Sequence, residues 1–147
     1  MTGSGKVLEL YISLEGDTPR STKEEIFVDE KGVVGDKFYG RDTQRSILIT
    51  AVESYNLAKR RGIDIPLGSL GENILVDYDP YDIPVGTPFQ IGDALLEITQ
   101  NCTLCKSLTK IDSKLPKLLK DDRGVFAKVL KNGMIRIGDT LKVDTSN

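Results

Sequence analysis

Short runs in which apolar and polar residues alternate, separated by turns that contain glycine, recur along most of this chain. From Leu8 to Glu15 the alternation is strict, and it stops at Gly16-Asp17 as a β-strand entering a turn does. Residues 87–100 (TPFQIGDALLEITQ) alternate on both sides of a Gly-Asp pair, which predicts a β-hairpin. Each such strand has one apolar face to bury, so the chain is predicted to fold into a sheet or a barrel.

Further strands are predicted from the same patterns. They cover residues 24–30, 45–50 and 72–78, and three more lie within 123–143. In that last region Asn132-Gly133 stands between alternating apolar residues, which is the strongest short hairpin signal in a sequence. The Asn-Gly pair is therefore expected to join two strands that pair with each other.

One segment, residues 50–62, has the signals of an α-helix. Thr50 is placed to cap its start with Glu53 completing a capping box, and Gly62 suits the position after its last turn. A second short helix is predicted over residues 113–120. About eight short strands with two or three short helices, and no strand–helix–strand alternation, predict a mainly β fold, a compact antiparallel β-barrel.

The length of 147 residues suffices for one domain with a buried core. No repeat, linker or low-complexity tract divides the chain, so residues 1–147 are expected to form a single domain with its core within about 5–143. The net charge of −2 predicts no general attraction to nucleic acid or to an anionic membrane. No apolar run is long enough to span a bilayer and no signal-peptide core is present, so a cytoplasmic location is expected, where thiols stay reduced.

The two cysteines, Cys102 and Cys105, form a C-x-x-C pair in a chain without histidine, which excludes Ser-His-Asp and Cys-His catalysis. A structural zinc site wants four Cys or His ligands, so here it would need two subunits or carboxylates. A thioredoxin-like dithiol begins a helix in a βαβ unit, and this pair follows a hairpin instead. Two interpretations stay open: a reactive thiolate at Cys105, favoured by Lys106 and Lys110, or two small buried hydrophobic residues.

Two other segments resemble ligand-binding motifs but lack their context. TGSGK, residues 2–6, has the glycines and lysine of a phosphate loop, but no strand precedes it and a strand follows, so a flexible terminus is expected. DYDPYD, residues 77–82, clusters three aspartates but lacks the glycine and distal glutamate of a calcium loop. A tight turn is expected there.

Five segments, in this order and spacing, resemble the MOSC domain, the module named after the C-terminal domain of molybdenum cofactor sulfurases. They are GVVGDKFYG (32–40), RSILI (45–49), LGENI (70–74), VGTPFQIGDALLEITQNCTLC (85–105) and RGVFAKVLKNGMIRIGD (123–139). The similarity spans roughly residues 5–143. It implies a compact, largely antiparallel barrel (PK β-barrel-like) that handles sulfur or the molybdenum cofactor through one cysteine.

The resemblance also implies a set of site residues. The family cysteine maps onto Cys105, as sulfur carrier or metal ligand, and Cys102 becomes an accessory or resolving residue. Family members often have Gly-Asp-Arg-His where this chain has Lys37 and Phe38, so a cation is kept and an imidazole is lost. The cations expected near the thiol or a cofactor phosphate are Lys37, Arg41, Arg45, Lys106 and Arg123. The residues expected to orient those cations, bind polar cofactor edges or satisfy turn amides are Asp36, Glu72 and Asn73.

The function that the resemblance implies is sulfur or molybdenum cofactor handling. As a sulfurtransferase-like carrier, Cys105 would receive a persulfide from a partner cysteine desulfurase, and the pyridoxal phosphate (PLP) would belong to that partner because no lysine here has an identifiable Schiff-base setting. Molybdenum cofactor biosynthesis proteins are the other expected partners, with a monomer or homodimer here. The alternatives are a molybdenum-pterin-dependent reductase of N-hydroxylated compounds with a separate electron donor, a non-catalytic cofactor-binding module, and a dimer that shares zinc.

Overall fold

The computed structural model describes residues 2–13, 21–81, 83–101, 114 and 124–144. This part of the chain contains eleven strands and one α-helix. The strands are β1 (Thr2–Ile12), β2 (Ser21–Lys23), β3 (Glu25–Asp29), β4 (Gly32–Val33), β5 (Ile47–Ala51), β6 (Ile74–Val76), β7 (Pro88–Ile91), β8 (Ala94–Asn101), β9 (Val125–Lys131), β10 (Gly133–Arg136) and β11 (Thr140–Asp144). The helix is α1 (Val52–Arg60), and Thr43–Arg45 form one 3-10 turn.

Seven strands close into a barrel in the order β1, β11, β7, β8, β9, β5, β6 and back to β1. Closure depends on β1, whose two halves pair with different neighbours: Lys6 lies opposite Thr140 of β11, and Leu10 lies opposite Ile74 of β6. All neighbouring strands are antiparallel except β5 and β6. The predicted fold class, a mainly β protein built on a compact antiparallel barrel, is confirmed.

The strands β5 and β6 are parallel because α1 carries the chain back along the outside of the barrel between them. The expectation that no strand–helix–strand unit occurs was wrong at this place. The sequence pattern did not indicate this strand–helix–strand unit, because β6 is only three residues long and follows the irregular residues 61–73. The inner face of α1 contributes Tyr55 and Ala58 to a buried cluster with Leu75 of β6.

The start of α1 is capped differently from the prediction. Its N-cap is Ala51, while Thr50 remains in β5 and donates its hydroxyl to Oε2 of Glu72 at 2.6 Å. The N–H of Ala51 donates to the hydroxyl of Tyr81 at 2.9 Å, so a residue distant in sequence holds this end of the helix. The predicted end is confirmed, since Gly62 follows the C-cap residue with a φ of +82°.

The glycine-rich segment near the N-terminus is the first half of β1, and the flexible terminus expected there was wrong. Its residues pair with β11, with Gly5 opposite Leu141. A Cβ atom on Gly5 would lie 2.5 Å from the Cβ of Tyr78. Glycine is therefore needed at this position because the two chain segments lie very close together. A larger residue would push β1 away from Tyr78.

The strands β10, β3 and β4 form a second, small sheet, in which Ile135 of β10 lies opposite Ile26 of β3. β9 pairs with β8 and β5, so the hairpin expected at Asn132-Gly133 was wrong. The φ of Gly133 is not positive, and a Cβ atom on it would lie 2.5 Å from the carbonyl carbon of Asp93. The chain crosses here from the barrel to the small sheet, and Gly133 is needed because two backbones meet.

Three other local predictions have different outcomes. The hairpin over residues 87–100 is confirmed by the antiparallel pair β7–β8. The aspartate-rich turn is also confirmed, since the carboxylate of Asp79 accepts from the N–H of Tyr81 at 2.9 Å. The helix predicted over 113–120 lies, apart from Lys114, outside the described residues.

The main core fills the barrel and extends under the small sheet. Its fully buried aliphatic side chains include Leu10, Ile47, Ile49, Ile74 and Leu96. The inner-facing residues of the small sheet join the same cluster; they are Ile26, Val28, Val33 and Ile135. Each such side chain contributes about 1.5–3 kcal/mol of burial free energy, which fixes the positions of the loops that carry polar residues. No helix within the described ranges has the length and apolar character needed to cross a membrane.

Candidate functional site

Asp36 is a buried carboxylate that ties three parts of the fold together. Its Oδ1 accepts from the N–H of Ser13 at 2.7 Å and from Nδ2 of Asn73 at 3.4 Å. Its Oδ2 accepts from the N–H of Phe38 at 3.0 Å. These hydrogen bonds anchor the loop of Asp36 to the end of β1 and the start of β6.

Asn73 stands between β5 and β1 and bonds to both. Its Oδ1 accepts from the N–H of Leu48 at 3.1 Å, and its Nδ2 donates to the carbonyl of Tyr11 at 3.3 Å as well as to Asp36. Its backbone bonds to the same two residues. Among the roles expected for Asn73, satisfying backbone groups is the one that these contacts fulfil.

Residues 36–41, called the Asp36 loop below, have every backbone N–H engaged. The acceptors, in chain order, are the carbonyls of Val33 and Ser13, the carboxylate of Asp36, and the carbonyls of Asp36, Lys31 and Phe38. The hydroxyl of Tyr39 adds a bond to Asp29 at 2.6 Å. The loop therefore holds its shape through its backbone, without using the side chains of its exposed residues.

Two cations of the Asp36 loop share one aromatic ring. Nζ of Lys37 lies 5.1 Å from the ring centroid of Phe38, and Cζ of Arg41 lies 5.8 Å from the same centroid. Both distances are within the range of cation–π attraction. Phe38 is nevertheless 45% exposed, Arg41 is exposed, and Lys37 is half-buried.

Arg45 is directed to a different partner. Its Nε lies 3.0 Å from Oδ2 of Asp42. Oδ1 of the same carboxylate accepts from the N–H of Gln44, so Asp42 caps the 3-10 turn. The hydrogen bond from Arg45 lowers the pKa of the Asp42 carboxyl below its usual range. Arg45 thus belongs to a surface ion pair at the start of β5.

Glu72 is buried on the outside of β5 and β6, beneath the residues that follow α1. Its Oε2 accepts from the hydroxyls of Thr50 at 2.6 Å and Tyr55 at 2.5 Å, and its Oε1 has no hydrogen-bond partner in the described part of the chain. The Tyr55 hydroxyl in turn accepts from the N–H groups of Gly68 and Leu70. Glu72 thus holds a loop and a helix in place, and it makes no contact with the expected cations among the described residues.

The tyrosines around Glu72 stay protonated to high pH. Burial, and then the negative charge of Glu72, raise the pKa of Tyr55 far above its usual value. The same two causes, in the same order, and then the charge of Glu9, raise the pKa of Tyr11 to about 12. Both hydroxyls therefore stay neutral at ordinary pH.

The sequence and the fold can be compared with known proteins. The family model described as the MOSC domain matches residues 28–142, most of the chain. This chain belongs to the MOSC domain family. The match covers the Asp36 loop, Asn73 and the segment that carries both cysteines.

Solved structures agree with this MOSC fold. The YuaD protein from Bacillus subtilis superposes with a TM-score of 0.86 at 19% identity, covering 100% of this chain and 99% of that one. YiiM from Escherichia coli gives 0.71 at 18% identity, covering 97% and 71%, and YiiM from Geobacillus stearothermophilus gives 0.69 at 19%, covering 95% and 73%. Identities this low support the fold alone. No curated protein sequence matches the chain.

In this MOSC domain, the residues that border the cysteine-bearing segment 102–123 lie near Asn73. Asn101, at the end of β8, is opposite Val125 of β9, which is opposite Ile49 of β5. A Cβ atom on Gly124 would lie 3.0 Å from a methyl group of Leu48, the residue bonded to Asn73. The predicted site residues on that segment, Cys102, Cys105, Lys106 and Arg123, lie outside the described residues.

The candidate site residues that the structure describes therefore fall into two groups, those linked through Asp36 and those that bond elsewhere. Asp36 and Asn73 are in contact, and Lys37 and Arg41 are carried by the loop that Asp36 anchors. Arg45 and Glu72 bond to other partners. Sequence reasoning did not find the hydroxyl partners of Glu72, because Thr50 and Tyr55 lie in a strand and a helix well before it and no spacing connects them.

Proposed function

We propose that this MOSC domain handles sulfur or the molybdenum cofactor through Cys105, as a persulfide carrier or as a thiolate ligand of molybdenum. Family membership connects the chain with the molybdenum cofactor. The proposal draws its main support from the contacts that run from Gly124 through Leu48 and Asn73 to Asp36. They bring the border of the cysteine-bearing segment towards the loop that carries Lys37 and Arg41.

As a carrier, Cys105 would take part in a simple sulfur exchange. Its thiolate attacks the outer sulfur of a persulfide on a partner cysteine desulfurase, a PLP enzyme. One S–S bond forms at Cys105 and the S–S bond of the donor breaks, so the donor cysteine leaves as a thiolate and no net oxidation occurs. Cations near Cys105 favour its thiolate form, and Lys106, Lys37 and Arg41 are the proposed sources of that charge.

The described residues fit the phosphate end of a molybdenum-bound pterin. Lys37 and Arg41 stand on a preformed loop and offer charges that a phosphate accepts. The proposed ligand of the metal is Cys105, because molybdenum in such a cofactor suits a soft thiolate. When bound, the cofactor would supply a redox-active metal, and this chain would bind and orient it.

Mass spectrometry tests the carrier function. The full chain is incubated with a cysteine desulfurase and cysteine, digested and mapped. An added mass of about 32 Da, one sulfur, is expected on the peptide at Cys105 in the unaltered protein and in Cys102→Ser, and it should vanish in Cys105→Ser.

Elemental analysis of the same preparations tests the ligand function, since bound molybdenum should be lost in Cys105→Ser and kept in Cys102→Ser. A protein that accepts sulfur at Cys102 alone, or accepts neither sulfur nor molybdenum, would contradict the proposal. Zinc in a ratio of one per two chains would favour the shared structural site instead.

A further inference from the structure

The Asn132-Gly133 pair is a motif that the proposed function does not use. Of the five asparagines in the chain, Asn132 is the one that precedes a glycine. An asparagine loses its side-chain amide when the backbone nitrogen of the next residue attacks its side-chain carbonyl carbon. Glycine has no Cβ atom to hinder that approach, so Asn132 is the asparagine most open to this reaction.

The two residues of the pair have opposite environments. Asn132 is exposed, so water reaches its side chain, whereas Gly133 is buried. A Cβ atom on Gly133 would lie 2.5 Å from the carbonyl carbon of Asp93, so a larger residue would displace one of the two backbones. The fold therefore requires a glycine directly after Asn132.

The pairing of β10 with β3 holds the nitrogen that would attack. The carbonyl of Met134 in β10 accepts from the N–H of Asp93 at 3.0 Å, so the backbone groups of Met134 point away from β3. Because these groups alternate along an antiparallel strand, those of Gly133 point towards Val28, the residue opposite it. The N–H of Gly133 is therefore held in the ladder while the small sheet is intact.

We infer that Asn132 is a deamidation site that reacts when β10 separates from β3. The released nitrogen of Gly133 attacks Cγ of Asn132 and forms a C–N bond. The side-chain nitrogen leaves with the proton of the attacking N–H as ammonia, and a cyclic imide remains. Water then opens the imide at either of its two carbonyl groups, giving aspartate or isoaspartate without oxidation or reduction.

Either product would oppose the return of β10 to its place. Both carry a new negative charge close to Asp93, whose backbone contacts Gly133. Isoaspartate also adds a methylene group to the main chain between β9 and β10, which disturbs the register of β10 with β3. The modification would thus record an opening of the small sheet. It goes beyond the proposed function because it needs neither a cysteine nor a cofactor.

Mass spectrometry of the full-length protein, incubated at about pH 8, tests the inference. Deamidation adds about 1 Da, since ammonia is lost and water is gained, and digestion at acidic pH keeps the reaction from continuing. Asn132 should react at least about tenfold more slowly in the native protein than in the urea-unfolded chain, because the native reaction needs a local opening.

Two matched substitutions separate opening of the small sheet from unfolding of the whole chain. Ile135→Val removes a methylene group from the buried face of β10, and Ile74→Val removes the same group from β6 of the barrel. Ile135→Val should speed the native reaction about fivefold, because it weakens the packing that holds β10 in place. Ile74→Val should change the rate by less than about twofold. In urea, both variants should react as fast as the unaltered chain.

Three results would overturn the inference. One is deamidation of Asn132 at the same rate in the native and the urea-unfolded protein, which would show that the small sheet does not hold the nitrogen. Another is a native rate that Ile135→Val leaves unchanged. The third is an equal acceleration in Ile135→Val and Ile74→Val, which would assign the reaction to the globally unfolded chain.

Discussion

At the scale of single residues, Asp36 is the most informative group in the described structure. The Gly-Asp-Lys segment marked it as a candidate, but its partners Ser13 and Asn73 lie in distant parts of the sequence. A pattern can indicate that a carboxylate matters, whereas the groups that it bonds depend on how the chain folds back. The same holds for Glu72, whose hydroxyl partners no motif contains.

Replacing Asp36 by asparagine should loosen the loop that carries Lys37 and Phe38. One carboxylate oxygen would become an NH2 group that faces a backbone N–H, so a buried donor would lose its acceptor. We expect the free energy of unfolding to fall by about 1–3 kcal/mol. Urea denaturation measures it, with the exposed Asp64→Asn as a control that should change stability by less than about 0.5 kcal/mol.

Equal urea midpoints for Asp36→Asn and the unaltered protein would show that these hydrogen bonds make no net contribution to the free energy of unfolding. The anchoring role of Asp36 would then be wrong, and the Asp36 loop would need another source of rigidity. A loss of stability in Asp64→Asn of the same size would show that the effect is one of overall charge.

At the scale of secondary structure elements, the two hairpin predictions show what local patterns can decide. Residues 87–100 form the hairpin that their alternation indicates. Asn132-Gly133 has the stronger signal and forms no hairpin, because β8 and β5 occupy both edges of β9 and β10 pairs with β3. The competition between strands for partners is a property of the whole sheet, and two residues do not encode it.

Substitutions at Asn132 and Gly133 separate close packing from turn conformation. Gly133→Ala should destabilise the protein by about 1–3 kcal/mol, because the new Cβ atom would lie 2.5 Å from the backbone of Asp93. Asn132→Ala should change stability by less than about 0.5 kcal/mol, since Asn132 has no positive φ to maintain. Thermal or urea unfolding checks both, and a large loss in Asn132→Ala would indicate a hairpin turn instead.

At the scale of the whole molecule, the alternation of apolar residues was enough to predict a mainly β barrel. The closure of the barrel by β1, and the parallel pair β5–β6, could not be predicted in this way. Both depend on long-range pairing, such as Lys6 with Thr140. The motifs indicated the candidate residues, whose role as a site stays a prediction, and the hydrogen bonds among them could be seen only in the folded chain.

The buried tyrosines predict how stability depends on pH. Burial, first of all, raises the pKa of Tyr55 and Tyr81, and raises that of Tyr11 to about 12, whereas an unfolded tyrosine titrates near 10. The folded state therefore holds protons that the unfolded state loses above about pH 10. Stability contributed by these groups is complete below that pH and is lost as pH rises, by about 1.4 kcal/mol per unit for each fully retained proton.

Urea unfolding between pH 9 and 12 measures this slope. Tyr55→Phe should reduce the slope of the free energy of unfolding against pH by the contribution of about one proton. This holds whatever the effect of the substitution on stability at neutral pH. Identical slopes for the variant and the unaltered protein would contradict the assignment of Tyr55 to the proton balance.

The central claim is that the MOSC barrel carries a reactive thiolate at position 105, and the rate of alkylation of each cysteine tests it most directly. Native protein is treated with iodoacetamide from pH 5 to 10, and the modified peptides are quantified. We predict that Cys105 reacts faster than Cys102, with a midpoint below the value of about 8.5 for a free thiol. A Cys105 that reacts only after unfolding, or with a midpoint at or above that value, would contradict the claim.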